Sequence, residues 1–260
     1  MSLENRVLII TGANAIAAAA ALMAAEAGAR LLVAAGDGGA SPWALAHETG
    51  AECWTGDLTL AGSADSVLSQ CLAKFGRVDG LFQAAGLSGR RFGDGPVDEC
   101  TDEGWETTIA HNLRVVFQLC RAVAGRMMQQ ARREDGLRGA IVNLGSVLAE
   151  WPEPRHFAMH AYAAAKGGVT ALSRAMASYY APEGIRVNVV APGLARTPAS
   201  EAADADSVLA AFLQKKQPLA GGMIQAQEVA RTALFLLSDE ARPITGQVVA
   251  VDGGWSVTGV

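Results

Sequence analysis

Charge is scarce in this chain and nowhere concentrated. Only 18% of its 260 residues are charged, the Lys and Arg are scattered, and the net charge is −5 with a pI near 5.4. Nothing in that balance draws the chain to nucleic acid or to an anionic membrane, so neither is expected as a partner. Cysteines are few: Cys53, Cys71, Cys100 and Cys120, with no C-x-x-C spacing. They read as reduced thiols of a cytoplasmic protein rather than a disulfide frame, and no metal site is suggested. Long apolar runs are missing too. The uncharged run Ala13–Ala25 is short and mostly alanine, which suits a buried helix better than a membrane span. The opening MSLENRVLII enters a strand at once, leaving no room for a targeting peptide. No internal repeat and no Pro/Ser linker divides the chain, so residues 1–260 are expected to form a single domain.

What is present is apolar residue in quantity, 50% of the chain, enough for a large core. Short β-branched or apolar runs alternate with stretches of helical length, and that alternation predicts an α/β fold, a doubly wound seven-stranded parallel sheet with helices on both faces. Strands are predicted at Arg6–Ile10, Arg30–Ala34, Cys53–Thr55, Gly80–Gln83, Ala140–Leu144, Arg186–Val190 and Val248–Val251. Helices are predicted at Ala17–Ala27, Ser63–Phe75, Gly104–Arg132, Ala161–Tyr180 and Ala226–Ser238. The polar, Ala-rich segment Pro198–Gly222 follows a strand's carboxyl end, where open α/β sheets bind ligands. It reads either as a substrate lid or as a plain surface excursion.

The most informative stretch runs from Ser146 to Lys166. It sets a serine ahead of Tyr162 and Lys166, which lie one helical turn apart on the same face. A phenol with a pKa of about 10 is a poor acid or base at neutral pH. A cation beside it lowers that value, and Ser146 can hold a substrate oxygen by a hydrogen bond. Taken alone, Y-x-x-x-K is also what an ordinary amphipathic helix provides.

The motifs around the trio settle which reading to follow. ITGA at 10–13, GDLT at 56–59, AAG at 84–86, HNL at 111–113, VNVVAPGLARTP at 187–198 and ITGQVVAVDGG at 244–254 stand in order along nearly the whole chain. This set resembles the short-chain dehydrogenase/reductases. The resemblance implies a Rossmann-type domain that binds a nicotinamide dinucleotide and transfers hydride to or from an alcohol or ketone. It implies Tyr162 as general acid/base, Lys166 as the group that lowers its pKa and holds the nicotinamide ribose, and Ser146 as the polariser of the carbonyl. Asn112 resembles the asparagine that anchors a relay water, its other reading being a helix-bending amide. Cofactor contacts are implied for Gly12, Asn14, Ile16, Asp37, Asp57, Leu58, Ala85, Gly86, Pro192, Gly193 and Thr197, besides Tyr162 and Lys166. Asp57 also reads as a helix N-cap. Asn143 and Asn188 are expected to stitch neighbouring strands. A homotetramer is the assembly the family implies.

Departures from the family pattern cluster on the dinucleotide side. Where the family has T-G-x-x-x-G-x-G, this chain reads T-G-A-N-A-I-A, one residue shorter, with Ala15 and Ala17 in place of glycines. A methyl on Ala15 points where a phosphate approaches, and a positive φ there carries a further cost. The second strand ends Ala35–Gly36 where an acid for the ribose is usual, with Asp37 about two residues late, and Gln83 opens the fourth-strand motif. No Arg or Lys occurs from 31 to 73, which removes the usual holder of a 2′-phosphate and favours NAD over NADP. Ser146 and Tyr162 also stand about three residues further apart than is commonest in the family. The extra residues lie in EWPEPRHFAMH, where Trp151, Arg155, His156 and His160 read either as pocket wall, with Arg155 for an anionic substrate group, or as solvated loop.

Two functions follow. One is an oxidoreductase moving hydride between a nicotinamide cofactor and a small or medium-sized alcohol or ketone, with an acidic or acyl-thioester portion left open, through Asn112, Ser146, Tyr162 and Lys166. The other is a cofactor-poor or inactive subunit of a hetero-oligomer, paired with an active relative. Non-redox chemistry on the same scaffold is a third reading, and the retained Lys166 counts against it.

Overall fold

The computed structural model describes residues 2–36, 42–197 and 206–259. Seven strands form one sheet: β1 (Val7–Thr11), β2 (Arg30–Ala35), β3 (Glu52–Thr55), β4 (Gly80–Gln83), β5 (Gly139–Leu144), β6 (Ile185–Pro192) and β7 (Val248–Val251). All pairings are parallel, in the order β3-β2-β1-β4-β5-β6-β7. The order reverses between β1 and β4, and it is outside the carboxyl ends at such a switch point that open sheets bind ligands.

Successive residues of a strand face opposite sides of the sheet, and here both sides are covered. Leu8, Ile10, Val33, Phe82 and Val142 point into one core with α1 (Ala15–Glu26) and α8 (Ala226–Leu237). Val7, Ile9, Leu32, Leu81 and Ile141 point into the other, with α3 (Ser63–Phe75), α5 (Val115–Gln129) and α6 (His160–Tyr180). The alanines of α1 let it lie close: Ala17, Ala20 and Ala24 are fully buried against the sheet and α8. A third, smaller cluster sits above the strand ends and includes Val147, Leu148, Leu213, Met223 and Trp255.

Three helical features differ from the sequence reading. The helix expected over Gly104–Arg132 is two, α4 (Asp102–Ile109) and α5, joined by a wide π-type turn at Ala110–Arg114. The cause is Asn112, buried at that turn and bonded to Thr108 O and to the chain after β4. Helix α2 (Pro42–Thr49) was not expected from its short, weakly patterned text. Nor was α7 (Ser207–Lys216), which starts inside the expected lid because the Asp206 side chain accepts from Val208 N and Leu209 N. Asp37 lies outside the described residues, as do residues 198–205 of that lid. Among the described residues no helix is long and apolar enough to cross a membrane.

Candidate active site

The chain turns sharply after each of the central strands, and what it exposes there is mostly backbone. Gly12 has φ +110, and a Cβ on it would lie 2.9 Å from Ala85 N, so only glycine lets β1 leave the sheet beside β4. Asn14 then caps α1: its Oδ1 accepts from Ala17 N at 3.0 Å and its Nδ2 donates to Ala84 O at 2.7 Å. The feared strain at Ala15 is absent. Among the described non-glycine residues only Asn5 has a positive φ, and Ala15 is the first residue of an ordinary helix.

After β4, Gly86 crosses directly over Asn112 and Lys166. A Cβ there would stand 2.6 Å from Asn112 Oδ1 and 3.6 Å from Lys166 Nζ. Asn112 binds the same segment twice more, donating to Leu87 O at 2.9 Å and accepting from Leu87 N at 3.3 Å. Its side-chain bonds thus all go to backbone, which is the helix-bending reading.

The trio comes from two elements. Ser146 stands two residues past the end of β5 and caps a short turn, accepting from Leu148 N at 3.2 Å. Tyr162 and Lys166 stand on the first turns of α6, with the Ser146 hydroxyl beside the phenol. Lys166 Nζ lies 5.5 Å from the centroid of the Tyr162 ring and donates to Leu144 O at 2.8 Å. The expected lowering of the phenol pKa is not met. Burial pushes Tyr162 up to about 12, with the Ser146 hydroxyl pulling the other way, and burial pushes Lys166 down to about 8. Both groups are desolvated together, and the ammonium is turned onto a main-chain carbonyl.

These residues line one cavity of about 630 Å³. Asn14, Ile16, Gly86, Pro192, Gly193 and Thr197 line it together with Asn112, Ser146, Tyr162 and Lys166, and Leu148, Phe157, Met159, Leu209 and Trp255, which pack in one cluster, give it an apolar wall. Gly12, Leu58 and Ala85 do not line it. Asp57 lies outside as well, beyond β3, where its carboxylate accepts from Thr59 N and Oγ1 and is held below the usual range by those bonds. Of the extra-loop residues, His156 lines the cavity, but Trp151, Arg155 and His160 do not and are exposed. The arginine at the mouth is instead Arg90, whose Nη2 donates to His156 O at 2.7 Å. Asn188 does stitch the edge of the sheet, bonding Ile244 O and Gln247 N, whereas Asn143 ties β5 to α6 through Ser173.

Several supporting residues gave no sequence signal. Asp94 accepts from Ala161 N and Tyr162 N, Glu153 from Arg155 N and His156 N. Gln217 is fully buried and brackets Leu194, accepting from its N–H at 2.7 Å and donating to its carbonyl at 3.1 Å. Trp255 closes the apolar wall.

Known proteins resemble the chain over its full length. A family model described as enoyl-(acyl carrier protein) reductase matches residues 11–256. The cis-4-hydroxycyclohexanecarboxylate dehydrogenase of Sinomonas cyclohexanicum is 36% identical, covering 97% of each chain. The 3-oxoacyl-[acyl-carrier-protein] reductase of Escherichia coli is 34% identical over 98% of each. A solved structure titled as a short-chain type dehydrogenase/reductase from Mycobacterium ulcerans superposes with a TM-score of 0.88 at 26% identity, over 99% of this chain and 92% of that one.

Proposed function

The chain belongs to the short-chain dehydrogenase/reductase family, and from that premise we propose that it interconverts a small ketone and its alcohol with NAD, Tyr162 passing the proton. The observation that carries this reading is that Ser146, Tyr162 and Lys166 line one largely apolar cavity, with Lys166 buried 5.5 Å from the centroid of the Tyr162 ring.

The cavity's lining fits the nicotinamide portion of a dinucleotide. Gly86 leaves open the space over Lys166 that a Cβ would fill, and Asn14 caps the N-terminus of α1, a site suited to anions. Asn14, Ile16, Gly86, Lys166, Pro192, Gly193 and Thr197 would hold it. When bound, the nicotinamide supplies or takes up the hydride. The chain's own part is orientation and proton transfer. Ser146 and Tyr162 donate hydrogen bonds to the substrate oxygen, fixing the carbonyl carbon and drawing charge onto the oxygen. A phenol pushed up to about 12 rests protonated at neutral pH, so it is set to give its proton to the forming alkoxide. The apolar wall excludes water from the reacting carbon.

NAD preference rests on the absence of Lys and Arg from 31 to 73, which leaves no basic side chain there to meet a 2′-phosphate. Fluorescence titration with NADH and NADPH, followed by turnover of cyclic ketones by the wild type and Tyr162→Phe, tests the proposal. Tight NADH binding and loss of turnover in Tyr162→Phe are expected; no binding of either nucleotide sinks it. The second reading, a cofactor-poor subunit, draws on Ala15, Ala17 and Ala35. It requires co-purification with a related chain and activity only in the mixture. A homotetramer is the assembly proposed for the first reading.

A further inference from the structure

We infer that Trp255 sets the size limit of the substrate pocket, so that the substrate is a compact apolar ketone or alcohol, cyclic or branched, rather than a long-chain acyl thioester; this rests on the hydride-transfer reading above. One cavity of about 630 Å³ must serve both the nicotinamide end and the substrate. Cavities of about 300–1,000 Å³ ordinarily take a single drug-sized ligand, so the substrate's share is small. Its apolar wall includes an indole, Trp255, 2% exposed and inside a cluster with Val147, Leu148 and Leu213.

The indole is fixed from every side the structure describes. Phe157 and Phe212 meet it edge-on, with ring centroids at 5.6 and 5.9 Å and interplanar angles of 65° and 84°. These are favourable aromatic geometries. Its Nε1–H donates to Trp151 O at 3.1 Å, and Lys216 Nζ lies 5.7 Å over the ring. The backbone beneath is equally constrained. After β7, Asp252 Oδ1 accepts from Gly254 N and Oδ2 from Ser256 N. Gly253 has φ +59, and a Cβ on it would meet Ala220 Cβ and Gln217 Cβ at 3.2 Å. Lys216 and Thr258 then bond reciprocally, Nζ to Thr258 O at 2.8 Å and Thr258 Oγ1 to Lys216 O at 3.0 Å. The wall therefore hangs from the core sheet and from α7 together, and a long acyl chain would have to displace a residue held at ring, indole N–H and backbone.

The test compares kcat/KM for cyclohexanone and for a medium-chain β-ketoacyl N-acetylcysteamine thioester in the wild type, Trp255→Ala and Trp255→Phe. The wild type should favour cyclohexanone. Trp255→Ala should raise the thioester value about tenfold or more and lower that of cyclohexanone, on the scale that pocket fit discriminates substrates. Trp255→Phe, which keeps a ring, should retain the preference. Equal use of both substrates by the wild type, or a common factor of change in Trp255→Ala, overturns the inference. If Trp255→Ala does not fold, Trp255→Leu carries the same expectation. If neither ketone turns over with either nucleotide, the hydride-transfer reading falls. The size limit is then read by saturation-transfer NMR with cyclohexanone and an octanoyl N-acetylcysteamine thioester: preference for cyclohexanone, relaxed in the variant, supports it, and equal binding overturns it.

Discussion

Asp94 holds the start of α6 from a distance: one carboxylate oxygen accepts from Ala161 N and the other from Tyr162 N, each at 3.0 Å. The helix's own N-cap residue, Met159, makes no side-chain cap bond, and Asp94 is 4% exposed. The turn after β4 thereby fixes the height at which the phenol stands. Replacing Asp94 by Ala leaves buried N–H groups unpaired and should cost roughly 2 kcal/mol or more of stability. Asn keeps one good acceptor and should fall between. Because a small displacement of a reacting group is expensive, kcat should drop about tenfold or more with KM little changed. Wild-type kcat in a folded but less stable Asp94→Ala would show that the contact is structural only.

Lys166 has a cost that activity must justify. Burial holds its pKa near 8 against an ordinary 10.5, so the folded chain binds that proton less tightly than the unfolded one. Stability therefore rises with pH between about 8 and 10.5, and the penalty is fully present below about 8. At about 1.4 kcal/mol per unit the span is about 3 kcal/mol. Lys166→Met should lose turnover, and its stability relative to the wild type should decline by about that amount as pH climbs through the window. Urea unfolding at stepped pH checks it; a pH-independent difference would contradict the assignment.

Much of this architecture is legible in sequence because it is local. Each β strand is a short apolar run, and the strand starts and ends lie within a few residues of those read from the text. The trio is legible for the same reason, since Tyr162 and Lys166 are one turn apart. What holds the trio is not local. Asp94 caps a helix 68 residues further on, Trp255 reaches back 104 residues to Trp151 O, and periodicity carries no mark of either. The electrostatics went the other way for a related reason. Spacing placed a cation beside a phenol, but only the packing reveals that both are desolvated and that the ammonium is spent on Leu144 O.

Two glycines near the site should respond oppositely to alanine. Gly86 is needed for space: the added Cβ would meet Asn112 Oδ1 at 2.6 Å, and Asn112 cannot give way without breaking its bonds to Leu87 and Thr108. Gly86→Ala should destabilise by about 1–3 kcal/mol and impair NADH binding. Gly167 lies within α6 with open space around it, so Gly167→Ala should stabilise by up to about 1 kcal/mol with activity intact. Thermal melts of the pair decide; equal shifts would refute the close approach at Gly86.

Glu153 offers the complementary case to Asp94, a carboxylate that holds the apolar wall of the cavity instead of the helix that bears Tyr162. It is 8% exposed and accepts from Arg155 N at 3.0 Å and His156 N at 2.7 Å. That turn carries the His156 carbonyl to Arg90 and sets Phe157 edge-on to Trp255. Releasing it loosens the apolar wall while Ser146, Tyr162 and Lys166, borne by the chain just after β5 and by α6, keep their places. Glu153→Ala should therefore raise KM for a compact ketone about tenfold with kcat near the wild-type value, and Glu153→Gln, which retains one acceptor, should do so less. Steady-state kinetics on the two carboxylate variants side by side separate the roles. A fall in kcat at unchanged KM in Glu153→Ala would mean that the extra loop governs the helix as Asp94 does, and that wall and proton donor are one mechanical unit.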